Sequence, residues 1–135
     1  WDFNSALPGL GIYATNEYQN GTALENGPLT LKINNSIIYG NAENMVELKQ
    51  TSGQTFTTEF NYSLLKYGAN ANYATSNSIK NEDPKFVNYF TQKLNLRVKD
   101  DSPAKGKGNQ AVAAMFPVDI VKNSRTSSPT IGAYQ

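Results

Sequence analysis

The chain of 135 residues contains neither cysteine nor histidine. The missing cysteines exclude disulfides and thiolate chemistry, and the missing histidines remove the most common general base and metal ligand. Charged residues make up only 17% of the chain, and a net charge of +1 gives no field that would attract nucleic acid. No apolar run approaches the roughly 20 residues that span a membrane. We therefore expect no metal, no cofactor, no nucleic-acid partner and no membrane span.

Short polar residues, by contrast, are abundant, with 17 Asn and 11 Thr, and the chain also contains 10 Gly. Residues of these types favour turns and strands over long helices. With 39% hydrophobic residues, a chain of this length is expected to form one domain with one modest core. These observations predict an all-β protein.

One short pattern occurs twice, as INNSIIY at 33–39 and as FNYSLLK at 60–66. In both copies an apolar residue is followed by Asn, a variable residue, Ser and two aliphatic residues. Equivalent positions differ by a constant offset of 27, as from Asn34 to Asn61. A pattern that recurs at such a distance is typical of stacked β-coils, in which each copy forms the same bend.

The segments before the two copies also correspond, but at a larger offset of 34. GIYAT at 11–15 matches MVELK at 45–49, and the difference between the two offsets falls within a polar loop predicted at 16–28. Stacked repeats tolerate insertions in one loop because only the strands must align. We therefore predict a parallel β-solenoid in which Asn34 and Asn61 stack as a ladder of side-chain amides. The alternative, in which both are ordinary turn residues, stays open.

From residue 76 onward the sequence resembles the C-terminal end of right-handed parallel β-helix proteins, pectate-lyase-like, of bacteria and notably of Bacteroides-type species. Five motifs carry the resemblance: an Asp-Pro turn, an apolar-Arg-apolar strand, a Ser-Pro-Ala turn, an Asp-containing loop that ends in Arg, and a closing Ile-Gly-Ala-Tyr. In this chain they are Asp83-Pro84-Lys85-Phe86-Val87, Leu96-Arg97-Val98, Ser102-Pro103-Ala104, Asp119 to Arg125, and Ile131-Gly132-Ala133-Tyr134.

The resemblance implies a right-handed parallel β-helix, truncated to its last two or three coils plus a C-terminal cap. Residues 1–75 would form coils, residues 76–135 would form the final coil and the cap, and preceding coils of the parent chain would be the partner. It also implies a bacterial protein that is secreted or held at the cell surface, in the periplasm or outer membrane. The cap residues implied are Asp83, Pro84, Phe86, Ser102, Pro103, Gly132 and Tyr134.

Two tyrosines are candidates for binding polysaccharide, because aromatic rings stack on sugars. Tyr39 and Tyr67 end predicted strands that we interpret as equivalent, and half-buried strand tyrosines are the alternative. The acidic pairs Glu82-Asp83 and Asp100-Asp101 adjoin turn motifs, so we interpret them as turn initiators rather than as catalytic carboxylates.

The function predicted first is a non-catalytic C-terminal segment of an exported β-helix protein. Its cap would block the last sheet edge, and its surface would bind glycan or another surface. We expect no catalytic residue within this chain. One alternative is the terminal part of a polysaccharide lyase or glycoside hydrolase whose active site lies on upstream coils. The other is a self-contained β-sandwich binding module.

Overall fold

The computed structural model describes residues 9–68, 75–89 and 93–135. In these ranges the chain forms mainly short strands, together with one short helix. The strands are β1 Ile12–Thr15, β2 Glu17–Asn20, β3 Ala23–Asn26, β4 Leu29–Asn34, β5 Ile37–Ile38, β6 Val46–Lys49, β7 Phe56–Asn61, β8 Leu64–Leu65, β9 Thr75–Ser76, β10 Ile79–Lys80, β11 Phe86–Asn88 and β12 Asn95–Val98, and the helix is α1 Gln110–Met115.

Most strands pair in parallel with a strand further along the chain. β1 pairs with β6, β4 with β7 and β7 with β9, while β5 pairs with β8 and β8 with β10. The chain thus passes repeatedly through the same positions. We call the passes rung 1 (β1, β4 and β5), rung 2 (β6, β7 and β8) and rung 3 (β9 and β10).

The register between rungs 1 and 2 confirms both predicted offsets. Ile12 lies opposite Val46, and Asn34 lies opposite Asn61. The extra residues lie between β1 and β4, as predicted, but the expectation of an irregular loop was wrong. They form the antiparallel hairpin β2–β3, whose turn contains Gly21 at a φ of 58°. The two turn residues are Gly21 and Thr22, and a glycine at the first turn position supplies the positive φ that a type II′ hairpin turn requires.

Rung 3 contains a third copy of the repeated pattern, which the sequence prediction missed. Leu64 lies opposite Ile79, so the offset from rung 2 is much shorter than the offset between the first two rungs. The copy reads Ser-Asn-Ser-Ile-Lys over 76–80, so its second aliphatic position is occupied by Lys80. The shorter offset and the polar substitutions together concealed the repeat. The boundary predicted between residues 75 and 76 falls inside β9.

Each rung bends sharply between its last two strands. The bend residues are Asn35, Tyr62 and Asn77, with φ values of 50°, 49° and 53°. A positive φ is uncommon outside glycine, and Asn tolerates it better than most residues. A serine follows each bend, and the Ser36 hydroxyl donates to the Asn34 carbonyl at 2.8 Å. The recurring Asn-x-Ser pattern is therefore the local chemistry of the bend.

Alternation along the strands gives the sheet β5–β8–β10 two buried faces. Leu65 packs on one side against Phe60 and Val46, in the core between the sheets. Leu64 points to the other side and packs against Ala104 and Ile131. Two small cores thus share one sheet, and both aliphatic positions of the repeat are used.

The C-terminal segment packs against the second face of this sheet through Ala104 and Ile131. Ile131 is fully buried there, and its N–H donates to the Ala104 carbonyl at 3.0 Å. The N–H of Gly132 donates to the Asn35 carbonyl of rung 1 at 2.9 Å. Within the described ranges no strand pairs with the outer edge of β9 or β10. That a cap blocks the last sheet edge therefore stays a prediction, while Ala104 and Ile131 pack against the row of Ile37 and Leu64.

The chain is strand-rich, which confirms the all-β class at that coarse level. The sheets contain two or three strands each and combine parallel with antiparallel pairs, such as β11 with β12. In the part of the chain that the structure describes, they do not close into a complete β-helix. The short helix α1 begins after Asn109, whose side chain accepts hydrogen bonds from the N–H groups of Ala111 and Val112.

Candidate functional site

The two tyrosines predicted to bind polysaccharide do not occupy equivalent positions. Tyr39 directly follows β5 and packs, half-buried, against the cluster that contains Leu64 and Ile131. Tyr67 lies two residues beyond β8 and belongs to the opposite core, with only 5% of its surface exposed. Its ring is therefore closed to a sugar, and the predicted pair is wrong. When the register of β5 and β8 is continued by one position, the residue aligned with Tyr39 is Lys66.

A lysine lies over the ring of each tyrosine. The Nζ atom of Lys66 is 5.3 Å from the centre of the Tyr39 ring, and that of Lys80 is 5.3 Å from the centre of the Tyr67 ring. Both distances are suited to cation–π contact. The same geometry stabilises the rungs and places a cation where a sugar would have to stack.

Asn34 and Asn61 lie side by side, but they do not form the expected ladder of side-chain amides. They face away from the core that holds Ile33 and Phe60, and both are half-buried. Between the described residues, no hydrogen bond joins the two amides. The serine of the motif makes the contact between rungs instead, since the N–H of Ser36 donates to a hydroxyl in rung 2.

The outward side of β4 and β7 forms a polar face. We define it as Thr30, Lys32 and Asn34 of β4 with Thr57, Glu59 and Asn61 of β7, which lie opposite one another in register. Lys32 and Glu59 form an ion pair at 3.5 Å, with 59% and 36% of their side chains exposed. An ion pair this exposed contributes little to stability, so it is weak evidence that this face has a structural role.

Three other asparagines bridge backbone segments with both ends of their side-chain amide. The Asn16 amide donates to the Thr51 carbonyl at 3.0 Å and accepts from the Thr51 N–H at 2.7 Å. An amide used in this way replaces a neighbouring strand, since it satisfies a donor and an acceptor of one residue. The other bridges join Asn81 to Tyr67 and Asn35 to Asn109.

The Asp-Pro and Ser-Pro-Ala motifs meet in one buried contact. The Ser102 hydroxyl donates to the carbonyl of the buried Pro84 at 2.7 Å. Asp83 Oδ1 accepts from the Lys85 N–H at 2.8 Å, which confirms its expected role as a turn initiator. Asp101, also within a turn, forms an ion pair with Lys85 at 2.8 Å. This pair raises the pKa of Lys85 and lowers that of Asp101, with the hydrogen bond between them as the largest cause in each case.

The remaining predicted cap residues lie around the C-terminal segment. Phe86 pairs with Val98 across β11 and β12, and Pro103 is half-buried beside Ser102. The guanidinium carbon of Arg97 is 4.8 Å from the centre of the Tyr134 ring. The motifs of the resemblance are thus brought together, although they cover a flank of the rungs.

Asp119 organises the loop that precedes the chain's last segment. Its carboxylate is buried and accepts from the N–H groups of Val121, Asn123 and Gln135 at 2.9, 2.7 and 2.9 Å. Burial alone would raise the pKa of Asp119, but the hydrogen bonds from Gln135 and Asn123 outweigh it, and the pKa is lowered. The sequence marked this aspartate only as part of a motif, and its structural role comes from residues up to 16 positions away.

A groove of about 350 Å³ lies at the outer edge of β5. It is bordered by rung 1, by the hairpin β11–β12 and by the segment around Gly132, which contacts rung 1 at Asn35. Its walls are mainly apolar, and the Ser36 position adds a polar group next to Ile37. The lining residues are Asn35, Ser36, Ile37, Phe86, Leu96, Gly132 and Ala133. Pattern analysis did not identify this groove, because its walls come from three separate segments.

The described residues contain no cluster of three acidic side chains that could hold a metal ion. Nor does any helix within the described ranges have the length and apolar character to cross a membrane. Comparison of the chain with protein-family models, with curated proteins and with solved structures found no match in any of the three. The resemblance to β-helix proteins therefore stays a prediction.

Proposed function

We propose that this chain is the non-catalytic C-terminal segment of an exported bacterial β-helix protein, in which the three rungs are coils. The observation that carries the proposal is the shared bend: each rung has a positive-φ residue followed by a serine, at matched positions of parallel strands. A repeated bend in parallel register is a property of solenoid coils. The segment that includes Ile131 would then protect one flank of the coils.

The outer edge of rung 1 supports a role as part of a longer stack. Within the described ranges, β1, β4 and β5 each have a partner strand on one side only. Unpaired strand edges readily pair with another strand. In the proposed parent protein, a preceding coil would occupy this edge.

Association and stability in solution test the proposal directly. The isolated chain is expected to be marginally stable or to self-associate through its open edges, since a small stack buries little apolar surface. Sedimentation velocity over a range of concentrations and thermal unfolding provide the two measurements. A chain that is strictly monomeric and melts at high temperature would contradict the truncated stack.

The polar face favours a second role, the binding of a glycan or another hydroxyl-rich surface. Asn34 and Asn61 present amides in register at the spacing of neighbouring strands, about 4.8 Å, beside an exposed ion pair. On a glycan array, signal from the wild-type chain should be lost in the double variant Asn34→Ala and Asn61→Ala. The matched control is Asn41→Ala, an exposed asparagine outside this face. Signal that survives the double variant, or is lost on Tyr39→Ala alone, would place binding elsewhere.

The alternative of a polysaccharide lyase or glycoside hydrolase concerns residues outside this chain. Sequence upstream of the rungs would decide it, since clustered Asp with Lys or Arg on one exposed sheet is expected of such an enzyme. The two proposals make the same claim for the present residues, which form coils and a covered flank.

A further inference from the structure

At each junction between rungs, the N–H of the serine after the bend donates to the serine hydroxyl of the next rung. The N–H of Ser36 donates to Oγ of Ser63 at 3.3 Å, and the N–H of Ser63 donates to Oγ of Ser78 at 3.1 Å. Ser63 Oγ donates to the Asn61 carbonyl of its own rung at 3.0 Å. Ser78 Oγ lies 2.9 Å from the Phe60 carbonyl of rung 2 and 3.3 Å from the Ser76 carbonyl of its own rung. A hydroxyl has one hydrogen and two lone pairs, so it can donate within its rung and accept from the rung before.

A second bond accompanies this contact at both junctions between rungs. The N–H of Asn35 donates to the Asn61 carbonyl at 3.3 Å, and the N–H of Tyr62 donates to the Ser76 carbonyl at 2.9 Å. The bend residue of one rung thus binds the residue before the bend in the next. The Asn61 carbonyl receives two hydrogen bonds, from this N–H and from Ser63.

Rung 1 has the same acceptors at its outer edge, where the described residues include no earlier rung that could use them. Ser36 Oγ donates to the Asn34 carbonyl at 2.8 Å, and within the described residues it accepts no hydrogen bond. The Asn34 carbonyl receives only that hydroxyl from the described residues, whereas Asn61 receives two donors. Both acceptors sit at the bend that leads into β5, and Ser36 lines the groove.

The apolar row beside the bend also continues into the groove. Ile37, Leu64 and Ile79 are aligned across the three rungs and pack on the covered flank. The groove begins where this row ends, and Phe86 and Leu96 form part of its far wall. An aliphatic side chain placed one strand beyond Ile37 would extend the row and lie between these walls.

We propose that this edge binds an extended strand that leaves a left-handed bend and runs parallel to β5. The strand places two backbone N–H groups on Asn34 O and Ser36 Oγ and one aliphatic side chain in the groove. The occupant is therefore a further rung of the Asn-x-Ser-aliphatic type. The inference deepens the proposed function and rests on it, because it names the groups by which the preceding coil is held.

A peptide with the sequence of residues 29–39, LTLKINNSIIY, carries the required bend and aliphatic pair and serves as the probe. Fluorescence anisotropy of the labelled peptide against the full chain is expected to show saturable binding. Replacing Ser36→Pro in the peptide removes the N–H that would meet the hydroxyl and should reduce affinity at least about 5-fold, the equivalent of one lost hydrogen bond.

Two variants of the protein complete the test. Ser36→Ala removes the acceptor at the open edge and should weaken binding of the unmodified peptide about 5-fold. Ser78→Ala makes the same chemical change at the opposite end of the stack and should leave affinity unchanged. Circular dichroism of both variants confirms that the fold is retained.

The result that overturns the inference is a peptide that fails to bind, binds equally well with proline, or responds equally to Ser36→Ala and Ser78→Ala. Failure of the proposed function itself would be detected in a different measurement, the association state and melting temperature of the chain without peptide. A high-melting, strictly monomeric chain would contradict the truncated stack. If the chain self-associates but peptide binding does not change on Ser36→Ala, the proposed stack stands and only the proposed contact at Ser36 is contradicted.

Discussion

The backbone N–H of Ser36 donates to the hydroxyl oxygen of Ser63 in the next rung, across 3.3 Å. Ser63 is fully buried, and its hydroxyl passes its own hydrogen to the Asn61 carbonyl. One small side chain therefore satisfies groups of two rungs at a point where the bend interrupts the regular strand pairing. A buried N–H left without a partner would be costly, which explains the serine in the repeated pattern.

Replacing Ser63→Ala should lower the free energy of unfolding by about 1–3 kcal/mol, because the part-buried N–H of Ser36 loses its acceptor. Urea denaturation followed by circular dichroism measures the change. Ser52→Ala, at an exposed turn of the same rung, is the matched control and should differ from wild type by less than about 0.5 kcal/mol. Equal losses in the two variants would remove the serine contact as a cause of stability.

Asn16 and Asn61 give a second contrast, between two asparagines of different function. Asn16→Ala should cost about 1–3 kcal/mol, because the 5%-exposed amide holds both the N–H and the carbonyl of Thr51. Asn61→Ala should cost less, since its amide makes no hydrogen bond to Asn34. Unfolding curves of the two variants under one buffer condition decide the order. If Asn61→Ala lowers the free energy of unfolding more than Asn16→Ala does, the assignment of the stabilising amide to Asn16 rather than to Asn61 is wrong.

Pattern matching predicted the register of the rungs because strand pairing obeys a simple rule. Alternating aliphatic residues must face one side, and a one-residue shift would turn Ile12 or Ile33 toward solvent. Both offsets between rungs 1 and 2 therefore followed from the sequence. Rung 3 escaped because Lys80 occupies an aliphatic position at a shorter offset, so the match to the pattern was weaker.

The candidate site was less predictable because it depends on which side of a strand each residue faces. Tyr39 and Tyr67 were paired by their place at strand ends, but they lie at different distances beyond β5 and β8. Successive residues of an extended strand point to opposite faces, so Tyr39, one residue beyond β5, and Tyr67, two residues beyond β8, face opposite sides. The ring of Tyr67 therefore lies in the core. The groove at Ser36 needs walls from Phe86 and Gly132, whose positions depend on tertiary packing.

Gly132 tests how the covering segment is held against rung 1. Its φ of 113° lies in the region that favours glycine, and an added Cβ would approach Ile37 Cδ1 to 3.0 Å. Gly132→Ala should therefore destabilise the chain by about 1–3 kcal/mol, mostly through backbone strain. Gly9→Ala is the control, since nothing lies within 4 Å of its added Cβ. Thermal and urea unfolding that show the same stability for both variants would mean that the segment shifts without cost.

Asp119 predicts how stability responds to acid. Its pKa is lower in the folded chain than in the unfolded one, so between the two values the unfolded chain binds more protons. The contribution of Asp119 is fully present above its ordinary pKa of about 4 and is lost as the pH falls through the lower folded value. Glu17 and Asp101 also have lowered pKa values, through hydrogen bonds from Lys49 and Lys85. Several carboxylates therefore contribute to the loss of stability of the wild-type chain at low pH.

The variant Asp119→Asn isolates the contribution of this one carboxylate. It should melt at a lower temperature than wild type at neutral pH, because a neutral amide accepts the N–H groups of Gln135 and Asn123 less strongly than a carboxylate. The difference in melting temperature should shrink as the pH falls below about 4, the ordinary pKa of an aspartate, because protons then bind preferentially to the unfolded wild-type chain. Asp100→Asn, at a fully exposed aspartate, should give no such convergence. If the difference in melting temperature between wild type and Asp119→Asn is the same at every pH, the charge of Asp119 does not contribute to the stability of the loop.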